Sequence, residues 1–201
     1  MTRVACIGDS ITRGTFVWRR RHNAYPAQLQ SMLGDDYVVR EFGANGHAAQ
    51  RSADRPYRSS EAFASSVRFQ PDVALIMLGT NDVRGDNWKG LDPFLSDYRD
   101  LVLHYRSLES SPAVWLLTPP ALFRLGGSSK VRYGMDDSAL GHVCRGIESV
   151  ARELGCGLVD VHAATADHPE AFRFDGVHPG AQGARLIAEA VFEALGRELP
   201  A

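Results

Sequence analysis

The sequence predicts a doubly wound α/β domain, and two observations carry that prediction. Short apolar runs alternate with amphipathic helical segments along the whole chain, the pattern of strands joined by helical crossovers. The central runs, "DVALIML" at 72–78 and "AVWLL" at 113–117, are continuous rather than alternating. Strands read that way when helices cover both faces of a parallel sheet.

The elements follow in order. "RVACIG" (3–8) is the first strand, "YVVREFG" (37–43) the second, the two central runs the third and fourth, and "GLVDV" (157–161) the fifth. Between the third and fourth strands, Phe94, Leu95, Tyr98, Leu101, Val102, Tyr105 and Leu108 repeat at the three-four spacing of one helix face. Leu140, Val143, Ile147, Val150 and Leu154 do the same after the fourth strand. A last helix over about 180–196 presents Ile187, Val191 and Leu195, with Pro179 near its start. Right-handed crossovers restrict the topology. The favoured arrangement is one three-layer α/β/α domain over 1–201, its five-stranded parallel sheet in the flavodoxin-like order 2-1-3-4-5.

Composition narrows the function classes. The chain has 201 residues, 44% hydrophobic and 23% charged, enough to bury a core without staples. A formal net charge of −2 gives no reason to expect nucleic acid as partner. No apolar run approaches the ~20 residues that span a bilayer, and the N-terminus shows no secretory pattern. Cys6, Cys144 and Cys156 lack metal-type spacing and read as free thiols. A reducing, cytoplasmic setting is expected, with a mature secreted form as the alternative; the oligomeric state is left open.

In this fold class, ligands bind outside the carboxyl ends of the strands, so the loops that follow strands matter most. After the first strand come Asp9, Ser10, Thr12 and Gly14; after the second, "GANGHAA" supplies Gly43, Asn45, Gly46 and His47. After the third, "GTNDVRGDNW" supplies Gly79, Thr80, Asn81, Asp82 and Trp88. "DGVHPG", before the last helix, supplies Asp175 and His178.

These residues meet the needs of acyl transfer. A serine hydroxyl is a weak nucleophile until a base takes its proton. Histidine, with a reference pKa of about 6.5, suits that task when a third group holds its tautomer. Asp175 and His178 lie three apart, so a turn can aim the carboxylate at one ring nitrogen while the other faces Ser10. The Ser10 N–H, a glycine N–H and the Asn81 amide could serve a developing oxyanion. Either Gly43 or Gly46 could be that glycine. A rival reading makes Asp175 and His178 a metal pair completed by His47 or Asp82; esterase chemistry itself calls for no metal and no cofactor.

"GDSIT", the glycine-bearing second block, "GTND" and "DGVHP" stand in order over residues 8–179 and resemble blocks I, II, III and V of the SGNH, or GDSL-type, hydrolases. The resemblance implies a serine esterase with the triad Ser10, Asp175 and His178 and the oxyanion hole Ser10, Gly46 and Asn81. Gly46 is preferred to Gly43 because the family's residue lies a few positions past the strand end. Block I usually reads GDSL, and Ile11 replaces the leucine. The G-x-S-x-G elbow of α/β-hydrolases is missing, since position 12 is Thr.

"GTNDVRGDNW" with Lys89, and "TPPALFRLGGSSK" (118–130), look similar to the subgroup acting on carbohydrate O-acetyl groups. The expected function is therefore hydrolysis of short acyl esters, with a small-molecule or carbohydrate ester as partner. A lysophospholipase- or thioesterase-like activity is the alternative, and a non-catalytic carbohydrate-binding module comes third. Asp9, His47 and Trp88 are candidate substrate contacts, Asp9 being read first as a structural residue. The basic run Trp18–Arg21 reads as a solvated loop; at the border of the site, Trp18 could stack on a sugar and an arginine meet an anion. Arg51, Arg55 and Arg58 raise the same possibility after Gly46.

Overall fold

The computed structural model describes residues 1–124, 127 and 130–196. Five strands, β1 (Thr2–Gly8), β2 (Tyr37–Gly43), β3 (Val73–Met77), β4 (Ala113–Leu117) and β5 (Gly157–Val159), form one parallel sheet in the order β2-β1-β3-β4-β5. This is the predicted topology. Among the described residues, eight α-helices complete it: α1 (Ser10–Arg13), α2 (Arg20–Asn23), α3 (Tyr25–Leu33), α4 (Glu61–Phe69), α5 (Leu91–Arg106), α6 (Asp137–Leu154), α7 (Val161–Thr165) and α8 (Ala181–Gly196).

Because successive side chains leave a strand on opposite faces, the three inner strands β1, β3 and β4 feed two cores. Ala5, Ile7, Ala74, Ile76, Val114 and Leu116 pack with Phe94, Tyr98, Leu101, Leu140, Val143 and Ile147 of α5 and α6. On the other face Val4, Cys6, Val73, Leu75, Trp115 and Leu117 meet Leu29 of α3 and Ile187, Val191 and Leu195 of α8. The continuous apolar strands of the sequence thus reflect two buried faces. Cys6 and Cys144 are buried free thiols, and Cys156 is a half-buried one. Among the described residues, no helix is long and apolar enough to cross a membrane.

One strand is shorter than its sequence pattern. The apolar run at 157–161 ends as a strand at Val159, and Val161 already belongs to α7. The cause is Asp160, whose carboxylate accepts the Ala163 N–H at 3.0 Å and the Thr118 hydroxyl at 3.0 Å. That bond caps the new helix and ties it to the end of β4.

The carboxyl end of β2 is pressed against α1. A Cβ on Gly43 would lie 2.4 Å from the Arg13 nitrogen and 2.7 Å from the Asp9 carbonyl oxygen, both backbone atoms that cannot swing aside. Gly43→Ala should therefore cost about 1–3 kcal/mol through overpacking, read as a lower urea midpoint with an unchanged m-value. Wild-type stability in that variant would show that α1 is not held as closely as this contact requires.

Candidate active site

Ser10 owes its position to the abrupt end of β1. Asp9 stops the strand and caps α1, its Oδ1 accepting the Ile11 N–H at 2.9 Å, a bond that satisfies one of the helix's orphan donors. Ser10 then heads the helix and remains 8% exposed. At the far end of the chain, Asp175 and His178 lie in the loop before α8. Asp175 Oδ1 accepts the Val177 and His178 N–H groups, each at 3.0 Å, which folds the loop around the carboxylate. The other oxygen, Oδ2, accepts from His178 Nδ1 at 2.7 Å. With that proton on Nδ1, Nε2 is the acceptor for the Ser10 hydroxyl, 2.8 Å away. The three side chains named from the sequence therefore form one continuous hydrogen-bonded chain.

Electrostatics reinforce the tautomer. Burial opposes charge on Asp175, but the His178 ring and the two backbone N–H groups outweigh it and hold the carboxyl well below the usual range. An ionised Asp175 keeps the Nδ1 proton directed at itself. Asp9 behaves oppositely. Burial pushes its carboxyl up to about 6, although the Ile11 N–H and the His178 ring pull it down. Burial likewise lifts Asp82 to about 6 against the Ala49 and Gln50 N–H groups. Those two donors, at 2.9 and 2.8 Å, tie the loop after β2 to the loop after β3.

Of the two candidate glycines, Gly46 lines the cavity in front of Ser10. Its φ of +74° suits glycine, and its N–H has no partner within the described residues. Gly43 is buried at the strand end, where its N–H donates to Glu41 Oε2 at 2.9 Å. Asn81 also lines the cavity. Its Nδ2 donates to Asp9 Oδ2 and to the His47 carbonyl, both at 3.1 Å, so Asp9 is a strut for the Asn81 amide rather than a wall of the cavity.

His47 and Trp88 do not line this cavity. The His47 ring bonds its own loop at Asn45 O, 2.9 Å away, and its contribution to the site is the carbonyl that Asn81 uses. Trp88 packs half-buried against the core beside α5 and α6; an apolar indole is better accommodated there than beside polar loops. Trp18 is 72% exposed and carries the Arg19 guanidinium over its ring. Arg20 and Arg21 line a separate groove with Arg13 and Glu41. Within the loop 118–130, positions 125, 126, 128 and 129 lie outside the described residues. Among the described residues, no group of three or more His, Cys, Asp or Glu is placed to hold a metal ion.

The cavity measures about 240 Å³, and part of its wall was not named from the sequence: Thr15, Phe16, Tyr133, Met135 and Val177. Phe16 and Tyr133 flank His178 edge-on at centroid distances of 5.2 and 6.1 Å. Both have positive φ, 63° and 61°, a region that costs non-glycine residues energy and needs support from the surroundings. Tyr133 has such support, since its hydroxyl donates to Asp175 Oδ2 at 3.1 Å. No local motif marks these positions, because each matters only through a partner distant in sequence.

Comparison with known proteins agrees with the fold. Residues 6–186 match the GDSL-like lipase/acylhydrolase family. An acetylxylan esterase of Xylanibacter ruminicola is 31% identical over 211 residues, covering 96% of this chain and 43% of that relative. This chain thus spans less than half of that protein's length. The chain belongs to the GDSL-like lipase/acylhydrolase family. Its fold is shared by a carbohydrate acetylesterase family member from Sinorhizobium meliloti, with a TM-score of 0.79, 22% identity and 98% of each chain covered. An aryl esterase of M. smegmatis also has a TM-score of 0.79, at 18% identity, covering 99% of this chain and 100% of its own.

The raised Asp9 carboxyl has a thermodynamic consequence. Between its unfolded value of about 3.9 and its folded value of about 6, the native state binds more protons than the unfolded one. Stability from this group is complete below the lower value and is lost as pH rises through the upper one. Asp9→Asn should reduce the fall in unfolding free energy between pH 4 and pH 7 by on the order of 1–3 kcal/mol, measured by urea titration. An identical pH slope in both proteins would contradict the shift.

Proposed function

We propose that the protein is a serine esterase that hydrolyses short acyl esters, with O-acetyl groups on carbohydrates as the preferred substrate class. The observation that carries this reading is the hydrogen-bonded chain from Ser10 Oγ through His178 to Asp175, at 2.8 and 2.7 Å. A binding module has no need of a hydroxyl lined up on a base that a buried carboxylate orients. The small cavity, at about 240 Å³, falls below the roughly 300–1,000 Å³ of drug-sized sites, which favours a compact acyl group. The acetylxylan esterase relative supports a carbohydrate alcohol.

In this mechanism Ser10 Oγ attacks the ester carbonyl while His178 Nε2 takes its proton. The oxyanion of the tetrahedral intermediate receives the Ser10 and Gly46 N–H groups and the Asn81 amide. Both Asn81 Nδ2 hydrogens are engaged beforehand with Asp9 and the His47 carbonyl, so the oxyanion shares one of them. The imidazolium protonates the departing alcohol, leaving Ser10 acylated. Water then attacks with His178 again as base, and the acid leaves as Ser10 regains its proton.

Tyr133 tunes this chain through Asp175, to which it donates alongside His178. Removing its hydroxyl takes one donor from the Asp175 carboxylate, which orients the His178 ring. Tyr133→Phe should lower kcat by about three- to tenfold with KM little changed. An unchanged kcat would confine Tyr133 to a packing role.

The direct test compares p-nitrophenyl acetate with the octanoate, using wild type and Ser10→Ala. Wild type should prefer acetate, and Ser10→Ala should lose at least about 10³-fold in kcat. Preference for octanoate would transfer the reading to longer-chain acyl hydrolysis. Equal activity of the two proteins would remove Ser10 as nucleophile.

A further inference from the structure

Three arginines follow Gly46 in sequence, and the structure separates them. Arg51 is paired with Asp97 and Asp100 on α5. Arg58 donates to the Asp100 carbonyl at 2.6 Å and lies over the Phe63 ring. Arg55 alone of the three lines the cavity that holds Ser10 and His178. Its Nη1 lies 3.7 Å from where a Cβ on Gly46 would stand, so the charge sits beside the glycine proposed to receive the oxyanion.

The cavity wall contains two guanidinium groups, Arg55 and Arg84, and no carboxylate. Arg84 is neutralised by Asp54, which Asn87 holds in place. The Arg55 guanidinium has no hydrogen-bond or ionic partner among the described residues; its main-chain carbonyl accepts from the Ala48 N–H. One unpaired cation therefore faces the reaction centre. It matches a single planar anion, since a guanidinium fork pairs with a carboxylate through two parallel hydrogen bonds. A phosphate dianion would call for a second available cation, and Arg84 is already paired.

Position decides which side of the ester bears the charge. Ser10 and His178 are each only 8% exposed, whereas Arg55 is exposed. A group that reaches Arg55 extends outward from the buried centre, as the alcohol portion does while a small acyl group remains inside. Resting on the esterase reading above, we propose that the alcohol carries a carboxylate, as an O-acetylated uronic acid does, and that Arg55 binds it.

The test uses the methyl glycoside of mono-O-acetylated glucuronic acid and its neutral methyl ester. Acetate release is measured with wild type, Arg55→Gln and Arg55→Lys, and affinity for both compounds is measured on Ser10→Ala. Wild type should favour the free acid about tenfold in kcat/KM. Arg55→Gln should bring the ratio of acid to methyl ester close to one, with Arg55→Lys between. Ser10→Ala should bind the acid more tightly than the methyl ester. A preference that survives Arg55→Gln, or equal binding of both compounds, overturns the proposal. Preferential binding without acetate release from either compound would leave the carboxylate site standing and remove the esterase reading instead.

Discussion

Three carboxyl groups, Asp9, Asp82 and Asp175, are almost completely buried at the carboxyl edge of the sheet, and this constraint organises everything near it. A buried acidic group is tolerable only when donors surround it. Each carboxyl takes a donor from another loop, Asn81 for Asp9, Ala49 and Gln50 for Asp82, and Tyr133 for Asp175, which also accepts from His178 in its own turn. Each pairing fastens one post-strand loop to another, or a loop to the turn before α8. Catalytic geometry and loop architecture therefore rest on the same hydrogen bonds.

The sheet supplies the frame in which those bonds can form. β1 lies between β2 and β3 in parallel register, so Gly8, Gly43 and Met77 end side by side, and three loops leave from adjacent points. Both faces are closed by helices, which leaves the carboxyl edge as the place where polar residues gather. α3 and α8 cover the face behind Ser10, and α8 also fixes the loop that carries His178. Packing energy from Ile187, Val191 and Leu195 is in this sense what holds the base against the nucleophile.

Much of this was legible in the sequence because the signals were local. Continuous apolar strands, three-four helix faces and the glycines and carboxylates at strand ends each report their own surroundings. β5 was shortened by Asp160, a residue inside the apolar run whose capping of α7 depends on meeting Thr118 across the sheet. The site divides along the same line. Ser10, Asn81, Asp175 and His178 stand in recognisable blocks, whereas Tyr133 acquires its place only by reaching Asp175, 42 positions away. Trp88 shows the converse: an aromatic residue within a functional block can still belong to the core, because burial of its ring competes with display at a surface. Asp9, His47 and Gly43 act through backbone and amide contacts, which residue type alone does not reveal.

The hydrogen bond from Ser10 to His178 joins residues 168 positions apart, so nucleophile and base come from widely separated segments. They meet because α3 and α8 pack on the same face of the sheet. Any opening that loosens α8 leaves the hydroxyl in place and takes away its base, so reactivity is tied to the integrity of that packing rather than to the serine itself.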